Sequence, residues 1–549
     1  MLIFCAYFQS APCGYMRFKT KIINTYEYIK LNGKKSLSKL SKLVNQSRSS
    51  VHRQIKIIEN RSNIPGADFF ETAEGAMWLR RLVLAATLVF GLQGKVGEDR
   101  LSLFCKLICI QDFVGVSASS MGRLKNKMME QIGLYEQELR PTLDKLSAEI
   151  SIVAGADETF FDRLLILLFM DLSSGYICIE ELAENRKATT WGNKTALVRN
   201  RFKEILCLTS DRGRSLIKFS KNAKIKSIAE LFHMQQSIVK LFRYAFASKR
   251  KSLEKQKKEA MKELDNLISS KASSELITSQ KKTLSDIEER NTVLNNGQTT
   301  YRKELFNISI VTHPFKNNNE AKKSSELSTE LNSSLSILRN TAKVCDIKDK
   351  NKHLNYFENN VPEMASLIDL WWQWIDCDLA NYNCSNELTE WLRGRLLPAF
   401  YWEQQIKKSR ASKPLRDYYV ELSVKAEQKL HADILTSKLM MEQWSSWAKH
   451  WVLKFQRSTS QVEGRNARLS ETHHCLRGMS KLHIKTDTIL HNVWNKRDDG
   501  TTATERLFKF KPPDLFEWLL SNMPELALPR KSRKQHNYIA LTAALIPAI

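Results

Sequence analysis

Between residues 150 and 233 short apolar runs alternate with amphipathic stretches, an order that few folds accommodate. Ile150-Ser-Ile-Val-Ala-Gly-Ala-Asp157 is an apolar run that ends in acid. Leu164 to Asp171 and Tyr176 to Ile179 follow, separated by the turn signal Ser173-Ser174-Gly175. Asn193 to Leu206 has helical amphipathic spacing. Leu206-Cys-Leu-Thr-Ser-Asp211 is a second apolar run ending in acid, Arg214 to Asn222 reads as a helix, and Ile228 to His233 as a short strand. The order is β-β-β-α-β-α-β.

Asp157 and Asp211 therefore close two strands, with 54 positions between them (211 − 157) for two further strands and a helix. Gly213 lets the chain turn off the second of these ends. A third acid stands far downstream: Val462-Glu463-Gly464-Arg465-Asn466 opens a polar helical pattern behind the cap residues Thr459-Ser460. Three carboxylates on such a scaffold can hold two divalent cations, ~3.5–4 Å apart, that activate a water or a 3′-hydroxyl for in-line attack on a phosphodiester. Strand alternation turns Glu158 to the face opposite Asp157, and Asp171 reads as a structural turn residue. Asn466, three positions after Glu463, is placed to steady the glutamate or a metal-bound water. His233 is expected behind the ligands rather than among them. Arg212, Arg465 and Arg468 are expected to face phosphate. His473 and His474, ~100° apart on a helix, do not suit a single metal. The chain has no Gly-rich phosphate loop, zinc-finger spacing or nucleophile elbow.

The wording "ADETFF…MDLSSGYI…SDRGRSLI…ELFH…VEGRNARLS" resembles bacterial insertion-sequence transposases of the DDE class, over about 150–235 and 455–510. That resemblance implies an α/β ribonuclease H-like catalytic core, with Asp157, Asp211 and Glu463 as catalytic residues and metal ligands, and Asn466 and His233 behind them. It implies two Mg²⁺ ions (or Mn²⁺), and hydrolysis followed by strand transfer without a covalent protein intermediate. The implied partners are double-stranded DNA, both transposon terminal repeats and target, and further copies of the chain as a homodimer or larger assembly. The implied location is the cytoplasm, at the nucleoid. Two alternatives stay open: a transposase-derived DNA-binding protein without activity, and a ribonuclease H-like nuclease that cuts without joining.

The remaining sequence divides around this core. Residues 1–148 are read as a helical DNA-binding region. In 36–60, Leu37 to Val44, a turn at Asn45-Gln46-Ser47, and Arg48 to Ile58 with Val51, Ile55 and Ile58 on one face form a helix-turn-helix pattern. Its second helix would expose Arg48, Ser49, Ser50, His52, Arg53, Gln54 and Lys56 to phosphates and groove edges; a plain helical hairpin fits the spacing as well. A second such unit is read near 96–132, where Ser117 to Met129 forms a basic helix; a spacer is the alternative. The core's first part is 149–235 and a helical insertion fills 236–455. Within it 248–295 is a charged hairpin, basic from Lys249 to Lys262, and 365–452 is rich in Trp: Trp371, Trp372, Trp374, Trp391, Trp402, Trp444, Trp447 and Trp451. Helical spacing makes these tryptophans core, with base stacking as the sharper reading. Phe315 to Thr329 reads as a loop. The closing part of the core is 456–510 and the tail 511–549, with a basic run at Arg530 to Lys534.

With 85 Lys and Arg against 59 Asp and Glu, the net charge of +26 favours a polyanionic partner. No run of ~18 uninterrupted apolar residues is present, so a membrane partner is not expected. The short apolar run at Met1 lacks a basic leader, and Met16 is the expected natural start. Ten scattered cysteines without a Cys-x-x-Cys pair point to free thiols.

Overall fold

A computed structural model describes residues 15–529 except 34–35, 62–66, 71, 410–411, 433–437 and 477. The Met1 and Arg530–Lys534 runs lie outside the described residues. The chain forms two compact units, one of residues 1–143, 471–505 and 509–549 and the other of 144–470 and 506–508.

The first unit is helical. It opens with α1 (Tyr15–Asn32), α2 (Leu37–Leu43) and α3 (Arg48–Arg61). Leu40 and Val51, both fully buried, sit on α2 and α3, which pack together; α3 also packs against α1. Then come α4 (Ala67–Phe70), α5 (Ala73–Ala86) with a π-helical continuation Thr87–Gln93, α6 (Glu98–Leu107) and α7 (Ala118–Ser147). Among the described residues one helical stretch, Ala73–Gln93, is long and apolar enough to cross a membrane, and half of it is buried in the protein. It carries Arg80, which donates to the carbonyls of Leu520, Met523 and Pro524. The expected second recognition helix is the start of the 30-residue α7. Ser117 accepts from the backbone N–H of Ser120 at its start, and Lys125 is buried against Glu98 at 3.2 Å, which removes it from a nucleic-acid face.

The second unit contains one five-stranded mixed sheet flanked by helices. Its elements begin with β1 (Ser151–Phe161), β2 (Leu164–Asp171), β3 (Ile177–Ala183), α8 (Ala188–Arg201), β4 (Glu204–Ser210), α9 (Arg214–Asn222) and β5 (Ser227–Ala229). The spatial order is β3-β2-β1-β4-β5. β1, β2 and β3 form an antiparallel meander, whereas β4 and β5 join in parallel. The expected element order is present, with three local corrections. The first helix starts five residues earlier than read. β1 runs past Asp157 to Phe161, because its pairing with β2 continues to Phe161↔Leu164 after its pairing with β4 stops at Gly155↔Thr209. The last strand ends at Ala229, and His233 lies in the first turn of the next helix.

That helix, α10 (Leu231–Ser269), and α11 (Ser274–Val311) form a hairpin longer than the charged stretch read at 248–295. α12 (Ser324–Val344), α13 (His353–Asn381), α14 (Asn386–Trp391), α15 (Leu397–Lys408), α16 (Lys413–His431) and α17 (Lys438–Lys454) complete the insertion, with a π-helical segment Leu392–Leu396 between α14 and α15. The stretch expected as a loop is partly ordered: Phe315 is buried and bridges to Ala321, and α12 already begins at Ser324. The tryptophans are core, as their spacing implied. Trp371, Trp391 and Trp402 are almost fully buried, and Trp447 and Trp451 both donate to one carboxylate oxygen of Asp378 at 2.8 Å. One hydrophobic cluster runs from Val153, Leu168 and Cys207 of the sheet through Ile238 and Phe242 to Trp371 and Tyr401. At its centre His313 is fully buried between the hydroxyls of Tyr401 (2.6 Å) and Tyr419 (3.0 Å). Burial holds its pKa well below the usual histidine range, so it packs as a neutral ring.

α18 (Ser460–Leu476) runs from the second unit into the first, which holds α19 (Lys481–Val493) and α21 (Leu515–Asn522); between them α20 (Ala503–Phe508) is divided, its residues 506–508 belonging to the second unit. The segment read as a tail therefore includes a helix, α21, that packs on α5.

Candidate active site

The insertion leaves the sheet and returns to it at one place. Glu230, the last residue before α10, is fully buried and accepts from the backbone N–H of Thr459 at 2.9 Å and from the Thr459 hydroxyl. Leu231 donates its N–H to the carbonyl of Arg457 at 2.8 Å. This clasp sets the start of α18. Gln461 then donates to the Leu172 carbonyl, and the fully buried Val462 packs over β1 at Gly155. A Cβ at Gly155 would come within 2.5 Å of Leu172 and 3.0 Å of Val462, so the helix can lie this close only over glycine.

Two residues beyond Gly155, Asp157 meets α18. Its Oδ2 accepts from Asn466 Nδ2 at 2.6 Å, and its Oδ1 accepts from the Glu158 N–H at 2.8 Å. Burial, and then the nearby Asp211 and Glu158 carboxylates, push the Asp157 pKa up to about 6, against the two hydrogen bonds that hold it down. Glu463 is likewise raised, first by burial and then by Asp157 and Asp211. Asp157 and Asp211 thus both oppose the ionisation of Glu463.

Asp211 follows β4 directly. Its Oδ1 accepts from Gly213 N–H at 2.8 Å and its carbonyl accepts from the Tyr356 hydroxyl at 2.8 Å. The tight turn is made by Arg212, at φ 60°, rather than by Gly213, at φ −51°. Arg212 itself pairs with Glu363 at 2.9 Å, which engages it within the protein instead of at phosphate. Arg465 also departs from its expected role. It is buried and forms a two-pronged ion pair with the fully buried Glu180 of β3, with Nε to Oε1 at 2.6 Å. Arg468 is half-buried on α18.

The grouping of carboxylate and imidazole atoms differs from the expected trio. Among the described residues, Glu230, His233 and Glu463 each bring one ligand atom to within 4.8 Å of the others, and Asp157, Asp211 and Glu463 do not form such a group. His233 Nδ1 contacts Glu230, and its Nε2 lies 3.9 Å from Glu463 Oε1. Glu230 escaped the sequence reading because it looked like part of a strand; its spacing to His233, three residues, was the available signal. The neighbours of the trio are structural, as read. Asp171 is fully buried and accepts from the N–H groups of Val153 and Ser174, and Glu158 accepts from Trp191 Nε1 at 3.0 Å on the other face.

In the first unit the expected recognition helix is α3. Arg48, His52, Arg53 and Lys56 are exposed on it and Ser50 is half-buried, while Ser47 accepts from the Ser50 N–H at its start. Gln54, expected outside, is buried: it donates to Gln46 and accepts from Thr25, both at 2.6 Å. A long polar side chain can serve as core when both ends of its amide are satisfied.

Asp157, Asp211 and Glu463 offer hard oxygen donors, the set that suits Mg²⁺ or Mn²⁺. Asn466 Oδ1, on the amide whose Nδ2 donates to Asp157, is buried without a hydrogen-bond partner among the described residues. No curated protein matches the chain. Residues 392–535, a stretch with Glu463 and Asn466 but neither Asp157 nor Asp211, match a family of unknown function (DUF6399).

Proposed function

We propose that the chain is a DNA transposase of the DDE class, with a ribonuclease H-like core that cleaves and joins DNA ends. The observation that supports the reading is the 2.6 Å bond from Asn466 to Asp157, which brings α18, the helix of Glu463, onto β1; the Asp157 and Asp211 carboxylates both push the Glu463 pKa up, after burial. The sheet order β3-β2-β1-β4-β5, with the acids beside the two central strands, agrees with it. Asp157, Asp211 and Glu463 would hold the divalent ions, which when bound supply a Lewis acid at the scissile phosphate and a nucleophile at neutral pH. Asn466 fixes the Asp157 carboxylate by its 2.6 Å bond, and the Glu230–His233 pair orients the Glu463 side of the site. The exposed cations of α3 bind duplex DNA.

The test is a strand-transfer assay with the purified chain, Mg²⁺ or Mn²⁺, and DNA carrying the repeats that flank its gene. Joined products that vanish in Asp157→Asn and Glu463→Gln support the reading. Cleavage without joining would make it a nuclease, and DNA binding with no cleavage a DNA-binding protein with an inert core.

A further inference from the structure

The long helix α10 is two-faced. Ile238, Phe242, Phe246 and Ala260 are buried on one side against the rest of the insertion. Lys240, Lys251 and Lys262 fall 11 positions apart (251 − 240, 262 − 251), three helical turns each, and so lie on one line along the opposite side. Lys255 and Lys258 lie beside that line, and all five are exposed. From 240 to 262 the helix carries nine basic residues and two acidic ones, Glu254 and Glu259.

Cations toward the packed side are engaged within the protein. Lys249 pairs with Asp346 and Lys257 with Glu288, each at 3.0 Å. On the outer line only Lys255 has a carboxylate neighbour, Glu259 at 3.7 Å; Lys240, Lys251, Lys258 and Lys262 have none among the described residues. A helix that only needed solubility would intersperse charges of both signs. From 240 to 262 this helix instead carries nine cations against the exposed Glu254 and Glu259, over 22 rises of 1.5 Å, a length of about 33 Å.

We infer that the outer face of α10 docks the phosphate backbone of double-stranded DNA, alongside the DNA held at the active site; this rests on the DNA reading above. About 33 Å of cation matches roughly one turn of duplex, whose backbone offers a charge every ~1.7 Å. An anionic membrane is the weaker match. A membrane-lying helix needs an exposed apolar face beside its cations, and the apolar face of α10 is turned inward; Tyr244 and Met261 are the large apolar side chains exposed near the line. Contact by lysines to phosphate carries no sequence preference, so the surface would hold flanking or target DNA rather than read a site.

The experiment uses the full chain and a labelled random-sequence duplex of about 30 base pairs, with binding followed by fluorescence anisotropy across a salt series without divalent ions. The triple variant Lys251→Gln, Lys258→Gln, Lys262→Gln is compared with wild type and with Lys343→Gln, Lys348→Gln, Lys350→Gln, which removes the same charge from exposed positions elsewhere. The stripe variant is expected to flatten the slope of log affinity against log salt by about 2–3, since each phosphate contact contributes about 0.9, and to bind at least about tenfold more weakly at low salt, while the control keeps the wild-type slope. Equal slopes and affinities for both variants would overturn the docking face and leave the transposase reading standing. No binding by wild type would remove both. A loss seen only on phosphatidylserine vesicles, with duplex binding intact, would reassign the surface to membranes and overturn the inference.

Discussion

Replacing Asp157 by Asn is expected to stabilise the protein when no divalent ion is bound. The folded state raises this carboxyl from its ordinary 3.8 to about 6, through burial and the neighbouring Asp211 and Glu158. The folded protein therefore favours the neutral form. That preference is intact below the ordinary value and is lost as pH rises through about 6. The difference of about 2.2 pKa units corresponds to about 3 kcal/mol of strain at pH 7.5, at 1.36 kcal/mol per unit. Asn removes the charge but weakens the hydrogen bonds from Glu158 N–H and Asn466 Nδ2, which returns about 1–2 kcal/mol. The Asn466 amide can turn to offer its unpartnered Oδ1 to the new Nδ2. The expected net gain is about 1–2 kcal/mol at pH 7.5, shrinking to zero or below at pH 4.5. Urea unfolding in EDTA at both pH values measures it. Added Mn²⁺ should then stabilise wild type, by about 2.7 kcal/mol at a hundredfold excess over its Kd, and leave the variant nearly unchanged. If Asp157→Asn is destabilising by the same amount at both pH values, the carboxylate is not strained by its neighbours. If Mn²⁺ stabilises both proteins equally, Asp157 is not a ligand.

Three further outcomes follow from the packing. Gly155→Ala forces a methyl group against Leu172 and Val462, and is expected to cost about 1–3 kcal/mol in urea unfolding and to shift α18, lowering Mn²⁺ affinity although no ligand is changed. Arg465→Ala removes the two-pronged pair with the buried Glu180; a loss of about 3–5 kcal/mol is expected, and wild-type stability with weakened DNA binding would return Arg465 to the phosphate-facing role. On α3, Arg53→Ala should change stability by less than about 0.5 kcal/mol while weakening duplex binding, whereas Gln54→Ala should cost about 1–3 kcal/mol by removing its buried hydrogen bonds with Thr25 and Gln46; thermal melts and anisotropy on the same pair of variants separate the two.

The elements of the sheet were legible because apolar runs and turn residues act locally: the Ser173-Ser174-Gly175 turn and the helix at Arg214–Asn222 appear where they were read. Asn466 was expected to steady Glu463 or a metal-bound water because it lies three positions along the same helix; its hydrogen bond goes instead to Asp157, a partner 309 positions away that helix spacing does not reveal. Arg212 and Arg465 were misread for a shared reason. Arginine beside a catalytic acid suggests phosphate, but whether it reaches solvent depends on a partner distant in sequence, Glu363 in one case and Glu180 in the other. Gln54 failed in the same way, since its partners come from a different helix and a turn. The Glu230–Thr459 clasp was invisible because it joins residues 229 positions apart.

That clasp changes how the length of the insertion should be regarded. The chain departs at Leu231 and is recaptured at Arg457 by their backbone hydrogen bond, beside the Glu230–Thr459 pair, and Arg457 is held in turn by Ser309 and Thr312 of α11 and its end. Doubling a flexible loop costs only about 0.6 kcal/mol in closure entropy, and residues added at the far turn between α10 and α11, Ser270 to Ser273, touch neither end of the insertion. A foreign domain spliced into that turn should leave Glu463 where it is. The turn is thus a natural point of attachment for a fluorescent or affinity module, away from the clasp and from Glu463.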